Sequence, residues 1–287
     1  MGWQDRVTVV IATRDRRREL LRTIARLRAM PERPPVLVVD NGSGDGSAAA
    51  ARRAGADVLA LPGNLGCGAR TLGAARAATP YLAFSDDDSW WAPGSLGLAA
   101  TLLDLHPRLA LLAARVLVGA DEALDPVSAS LRASPLPLAP DLPGRRALGF
   151  LACGAVVRRS AFLAAGGFDR RFGIGGEEEL LALDLTATGW GVAYADGVVA
   201  HHHPSASRDP GGRRRVQARN ALWTTWLRRP ARIVARDTAR CARAALTDRG
   251  ARAGLIEAAR GLPWVLGERR RLPAAVEADL RRLEAAG

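Results

Sequence analysis

Lysine is absent. All 41 basic residues are arginine, against 29 acidic ones, for a formal charge of +12 over 287 residues. Such a bias reflects the base composition of the coding DNA, so where the charge lies says more than its total. Residues 1–204 hold 22 Arg and 21 acids, while residues 205–287 hold 19 Arg and 8 acids. The excess is C-terminal, and the nearly neutral remainder argues against a nucleic-acid groove. Cysteine is scarce: Cys67, Cys153 and Cys241 are odd in number, far apart and without C-x-x-C spacing. That suggests neither a disulfide framework nor a cysteine-ligated zinc site and fits a reducing cytoplasm. No apolar run approaches the roughly 20 residues that span a bilayer, and the chain reaches Val7–Ala12 without the long apolar segment of a signal peptide. The expectation is a cytoplasmic protein, soluble or peripheral at the inner face of the membrane. Apolar residues at 48% and charged residues at 24% argue against disorder and against fibrous architectures.

What is present has an alternating order. Val7–Ala12, Val36–Val39, Asp57–Leu61 and Tyr81–Phe84 are short β-rich runs, separated by helical patterns over Arg16–Met30, Ser47–Ala54 and Cys67–Ala78. Continuous apolar strands spaced by helices imply a parallel sheet covered on both faces. In such α/β sheets ligands bind outside the carboxyl ends of the strands. The polar groups there are Thr13-Arg14-Asp15, Asp40-Asn41-Gly42-Ser43, Gly63-Asn64-Leu65-Gly66 and Ser85-Asp86-Asp87-Asp88. Gly119–Arg146, rich in Pro, Ala and Ser, reads as an insertion. A strand is expected over Ala147–Val157, a helix cap at Ser160, a turn at Gly166–Asp169, a helix over Glu177–Thr188 closed by Gly189, and a strand over Val192–Ala200. Past Pro204 the chain is Arg-rich and helical in pattern, interrupted at Pro230, Pro263 and Pro273.

Asp86, Asp87 and Asp88 repel one another at the end of an apolar strand, which costs stability unless a cation neutralises them. A divalent ion is the simplest answer, and hard oxygen ligands suit Mg2+ or Mn2+. With strand alternation Asp86 and Asp88 face the same way. The competing reading is a solvated acidic turn ahead of a helix starting near Trp90–Pro93.

VLVVDNGSGDGS (36–47), GNLGCGARTLG (63–73), FSDDD (84–88) and GGFDRRFGIGGEEELL (166–181), followed by HHHPS (201–205) and Arg219-Asn220, resemble in their order the family 2 glycosyltransferases of the GT-A fold. The resemblance covers about the first 220 residues. It implies a mainly parallel central sheet flanked by helices, with a helical C-terminal appendage. The catalytic domain would span 1–205, with a donor half at about 1–118 and an acceptor half at about 147–205, and 206–287 would be an Arg-rich helical extension. The implied activity is inverting, metal-dependent transfer of a sugar from a nucleotide-diphosphate sugar (UDP-, TDP- or GDP-linked) to an acceptor hydroxyl. The acceptor would be a glycan, a lipid-linked glycan or a small molecule, as in polysaccharide biosynthesis.

Position by position, the resemblance puts Asp40, Thr13 and Arg14 at the nucleotide base, and Asn64 and Arg70 along the ribose and diphosphate. It puts Asp86, Asp87 and Asp88 at the D-x-D motif, with Asp86 and Asp88 at the Mn2+ or Mg2+ ion. Glu178 takes the place of the general base on the acceptor hydroxyl, and His201, with His203 next, that of a further metal ligand. Leu180 and Asp184 stand where the family often has Asp and Arg, so a nucleotide-sugar-binding protein with weakened catalysis is the alternative. The triplets Arg213–Arg215 and Arg269–Arg271 suit anionic lipid head groups, or are a solvated helical face.

Overall fold

The computed structural model describes residues 5–204 and 210–286. The boundary expected at 205/206, Ser205 and the side chain of Arg213 lie outside the described residues.

The first half of the chain runs β1 (Val7–Thr13), α1 (Arg17–Ala29), β2 (Val36–Asp40), α2 (Ser47–Arg53), β3 (Asp57–Ala60), α3 (Gly68–Arg76), β4 (Tyr81–Ser85), β5 (Ser89–Trp91), α4 (Ser95–Leu105) and β6 (Leu109–Val118). Two-residue strands β7 (Ala123–Leu124) and β8 (Arg145–Arg146) flank α5 (Pro126–Arg132). Then come β9 (Ala155–Arg158), α6 (Arg159–Ala164), α7 (Glu177–Ala187) and β10 (Gly191–His202). Five helices follow: α8 (Pro210–Arg228), α9 (Ala231–Ala244), α10 (Arg249–Arg260), α11 (Leu262–Glu268) and α12 (Ala274–Ala286).

The sheet order is β3-β2-β1-β4-β9-β6-β10-β5. The pairs β3–β2, β2–β1, β1–β4 and β6–β10 are parallel, whereas β9 is antiparallel to both β4 and β6. Strand β1 is buried almost throughout because helices cover both faces of the sheet. Its Val9 and Ile11 enter one core with Leu20, Ile24 and Leu27 of α1, and its Val10 enters the other with Phe84, Phe162 and Phe172. Each such side chain contributes about 1.5–3 kcal/mol when fully buried. The second core also receives Leu222, Trp223, Trp226 and Leu227 from α8 and Val265 from α11. The extension and the sheet therefore share one hydrophobic interior. Helix α12 adds Val276 and Leu280 against Leu183 of α7.

Several local expectations are corrected. Over Ala147–Val157 only Ala155 onward is strand, because a 3-10 turn at Ala152–Gly154 comes first. Ser160 lies inside α6, whose N-cap is Arg158. The helix expected near Trp90–Pro93 begins at Ser95, after Gly94, because Ser89–Trp91 pairs with the end of β10. Strand β6 has no counterpart among the four strands expected in the first half of the chain, and Gly119–Arg146 holds β7, α5 and β8.

Candidate active site

The loops after β1, β2, β3 and β4 meet at one rim and are tied to one another. Asp15, at φ +52°, accepts the Gly44 N–H at 2.7 Å, and its own N–H donates to the Ser43 hydroxyl at 2.9 Å. Asp40 is buried and accepts from the Ser43 hydroxyl and, at 3.2 Å, from its N–H. Asn41 accepts the Leu65 N–H at 3.0 Å, and Asn64 accepts that of Gly66 at 2.8 Å. Arg14 is half exposed on this rim. Thr13, Arg14, Asp40 and Asn64 thus stand on neighbouring strand ends, as strand order requires.

The three aspartates lie in a turn beyond β4, not in the strand, so strand alternation does not place them. Asp86 pairs with Arg70 of α3. Arg16 bridges the other two, reaching Asp87 and Asp88 at 2.8 Å each, and Thr13 donates to Asp87 at 2.9 Å. Two guanidinium groups, those of Arg16 and Arg70, offset part of the charge of the three carboxylates and so relieve part of the repulsion among them. Burial pushes the Asp87 carboxyl up to about 7, against the opposing pull of Arg16.

His202 closes on this cluster, its Nε2 standing 3.4 Å from an Asp88 oxygen. His201 does not. It contacts Glu122 at 2.8 Å and stacks on Trp90, with ring centroids 5.4 Å apart, while His203 tilts against the same indole at 4.7 Å. Alternation along β10 is the reason: buried Val198 and Ala200 share the face of His202, and His201 and His203 take the opposite one. One donor atom each from Asp86, Cys153 and His202 lies within 4.8 Å of the others.

Across the rim stands the N-terminus of α7. Gly176, at φ +91°, caps it, a backbone conformation that favours glycine, and a Cβ there would crowd the Asn220 side chain at 3.1 Å. Glu177 is 2% exposed. Burial, and then the charge of Glu178, push its carboxyl up to about 8, with Glu178 in hydrogen-bonding contact. Arg70 feels the fields of Asp86, Glu177 and Glu178 together. It is the group that links the strand-end aspartates to the acids of α7.

The loop before α7 is held from two sides. The Gly173 carbonyl accepts from Cys67 N at 2.7 Å, and the Phe168 N–H donates to Thr71 at 2.9 Å. From α8, Arg219 donates to the Phe172 carbonyl at 2.7 Å, and the Asn220 amide donates to Phe172 at 2.9 Å, Ile174 at 3.4 Å and Gly175. Farther along α7, Leu180 is buried and Asp184 pairs with Arg228 of α8 at 2.5 Å. A cavity of about 680 Å³ runs beside this face of α7, lined among others by Leu72, Arg170, Glu177, Arg228 and Arg270.

Residues 8–164 match the profile described as glycosyl transferase family 2. The chain belongs to that family. A protein of Mycobacterium tuberculosis similar to it, N-acetylglucosaminyl-diphospho-decaprenol L-rhamnosyltransferase, is 30% identical over 243 residues, 72% of this chain and 79% of that one. Among solved structures, mannosyltransferase PcManGT from Pyrobaculum calidifontis, in complex with GDP-Man and Mn2+, superposes with a TM-score of 0.58 at 16% identity, over 98% of this chain and 86% of that one. S. aureus TarS also gives 0.58, at 15% identity over 81% of this chain, which spans only 41% of TarS. At such identities the structures show the GT-A fold alone.

The candidate site of this family 2 glycosyltransferase also contains residues that the sequence reading passed over. Arg16 lies two positions beyond Arg14, and His202 one beyond His201. For His202 the signal was available in the alternation of Val198 and Ala200. For Arg16, Cys153 and Glu177 there was none, because a role as counter-ion, cluster neighbour or buried acid depends on which loops meet in space.

Proposed function

We propose that the protein transfers a sugar from a nucleoside-diphosphate sugar to a hydroxyl of a lipid-linked glycan, with inversion at the anomeric carbon and with a divalent ion at the diphosphate. The observation that carries the reading is Arg70, poised between Asp86 on the donor rim and Glu177–Glu178 on α7. That arrangement sets a cationic donor subsite against a carboxylate pair across one space. The bound Mn2+ of PcManGT and the lipid-linked acceptor named for the mycobacterial relative support it.

In this reading Thr13, Arg14 and Asp40 border the base, and Asn64 and Arg70 the ribose and diphosphate. Asp86, Asp88 and His202 would hold Mn2+ or Mg2+; their oxygen and nitrogen donors fit such an ion, which when bound neutralises charge on the leaving diphosphate. His202 takes the place expected for His201. Glu178 accepts the proton of the acceptor hydroxyl, a contribution of about 10²- to 10⁴-fold. Glu177, whose carboxyl is pushed up by burial and by the neighbouring Glu178, stands beside that base. In-line attack then inverts the anomeric centre.

On the outer surface Ile256 of α10 and Leu262 and Leu266 of α11 are exposed beside Arg260, Arg270 and Arg271. Exposed apolar side chains and arginines on and just beyond these two helices suit peripheral contact with an anionic membrane, where a lipid-linked acceptor resides. Among the described residues no helix is long and apolar enough to cross a membrane.

The alternative of a nucleotide-sugar-binding protein with weakened catalysis is favoured by one observation: Leu180 packs inside and Asp184 is occupied by Arg228, so neither is offered to an acceptor. One experiment separates the two. UDP-, TDP- and GDP-sugars are incubated with Mn2+ and vesicle-borne polyprenyl-diphosphate glycan, and nucleoside diphosphate release is followed. The proposal expects acceptor-dependent release that Asp88→Asn and Glu178→Gln abolish while the thermal melt stays intact. Donor binding without release in the native protein would select the alternative.

A further inference from the structure

Cys153 is a free thiol, 5% exposed, on the 3-10 turn Ala152–Gly154 that leads into β9. Strand β9 runs between β4 and β6, so this turn arrives beside the carboxyl end of β4, where Asp86 begins. Its position is fixed by close packing: a Cβ on Gly154 would stand 2.5 Å from the Val116 side chain of β6. Sulfur, an Asp86 oxygen and a His202 nitrogen lie within 4.8 Å of one another. Donors on a tetrahedral ion with bonds of about 2.0–2.3 Å are roughly 3.5 Å apart. The observed separations exceed that spacing by about 1 Å at most. Arg70 holds one Asp86 oxygen, and the carboxylate has a second.

Oxygen donors suit Mg2+ and Mn2+, whereas a thiolate with an imidazole selects softer ions. We propose that the metal centre of this chain is thiophilic: Cys153, Asp86 and His202 together bind Zn2+, Cd2+ or Co2+ through a sulfur bond, and prefer them to Mg2+. The proposal deepens the metal part of the function set out above, adding a ligand that sugar transfer itself does not call for. On binding, the S–H bond breaks, the sulfur pair forms the bond to the ion, and the proton passes to bulk buffer. No oxidation state changes.

The test is optical. The full chain, stripped with a chelator and without donor sugar, is titrated with Co2+. The expected result is a near-ultraviolet sulfur-to-cobalt charge-transfer band that is lost in Cys153→Ser and kept in Cys67→Ser and Cys241→Ser. By competition, Cys153→Ser weakens Zn2+ at least about tenfold while Mn2+ changes by less than about threefold. Cys153→Ala serves as the second variant, with thermal melts to show that each folds. Absence of the band in the native chain, its persistence in both Cys153 variants, or its loss in Cys241→Ser overturns the proposal. A band without any sugar transfer leaves this inference standing and defeats the functional reading, and transfer without a band does the reverse.

Discussion

Glu177→Gln should make the protein more stable in alkaline buffer, and by an amount that depends on pH. The carboxyl rises from 4.5 to about 8, first because burial removes it from water and then because Glu178 lies beside it. Between the unfolded and folded values the native chain binds more protons at this site than the unfolded chain. Stability therefore falls as pH climbs through that window, and the cost is complete above the folded value. At about 1.4 kcal/mol per unit the displacement caps the penalty near 5 kcal/mol, and water entering from the adjoining cavity brings the expected figure to about half of that. Glutamine keeps the shape and removes the ionisation. The assay is urea unfolding of both proteins at pH 5 and pH 9. Glu177→Gln should gain about 2–3 kcal/mol on the native protein between the two conditions. Parallel stability curves, differing by less than about 0.5 kcal/mol, would refute the claim that Glu177 is a buried acid held protonated.

His202→Ala should weaken Mn2+ binding by about tenfold or more, measured by calorimetry, with His201→Ala close to native; equal effects would put His201 back at the metal. Asn220→Ala, which strips donors from the carbonyls of Phe172, Ile174 and Gly175, should destabilise the fold by about 1–3 kcal/mol in urea unfolding and lower kcat more than it raises the donor KM. Gly66→Ala places a Cβ 2.6 Å from the Gly173 carbonyl at a backbone φ of +56°, so a stability loss of about 1–3 kcal/mol is expected by thermal melt. Leu262→Ser with Leu266→Ser should lower co-sedimentation with anionic vesicles without altering turnover of a soluble acceptor; unchanged sedimentation would remove α11 from the membrane contact.

Strands β1, β2 and β4 and the helices between them were legible because a strand covered on both faces must be apolar along its length, which leaves the polar strand-end loops conspicuous; edge strand β3 is half exposed and was legible by its place in the alternation. Strand β5 was not, and β9 was legible only in part, its start being expected at Ala147 in place of Ala155. Each is short and antiparallel, and each exists because a distant partner, β10 for one and β4 with β6 for the other, offers an unpaired edge. The helical tail was legible as helices, but its role as a clamp on the loop before α7 rests on Arg219 and Asn220 reaching carbonyls nearly fifty positions away. Local periodicity carries no trace of such a contact.

By itself the sequence determined the alternating α/β layout, the rim on which Thr13, Asp40, Asn64 and Asp86 sit, and the family, since these follow from periodicity and from motifs contiguous in the chain. Only the tertiary structure decided that Arg16 and Arg70 pair with the aspartates, that His202 faces them in place of His201, and that Cys153 joins the cluster. Charge compensation and donor convergence act through a few ångströms of space, and which residues share that space is set by strand order and by the cores that pin each loop.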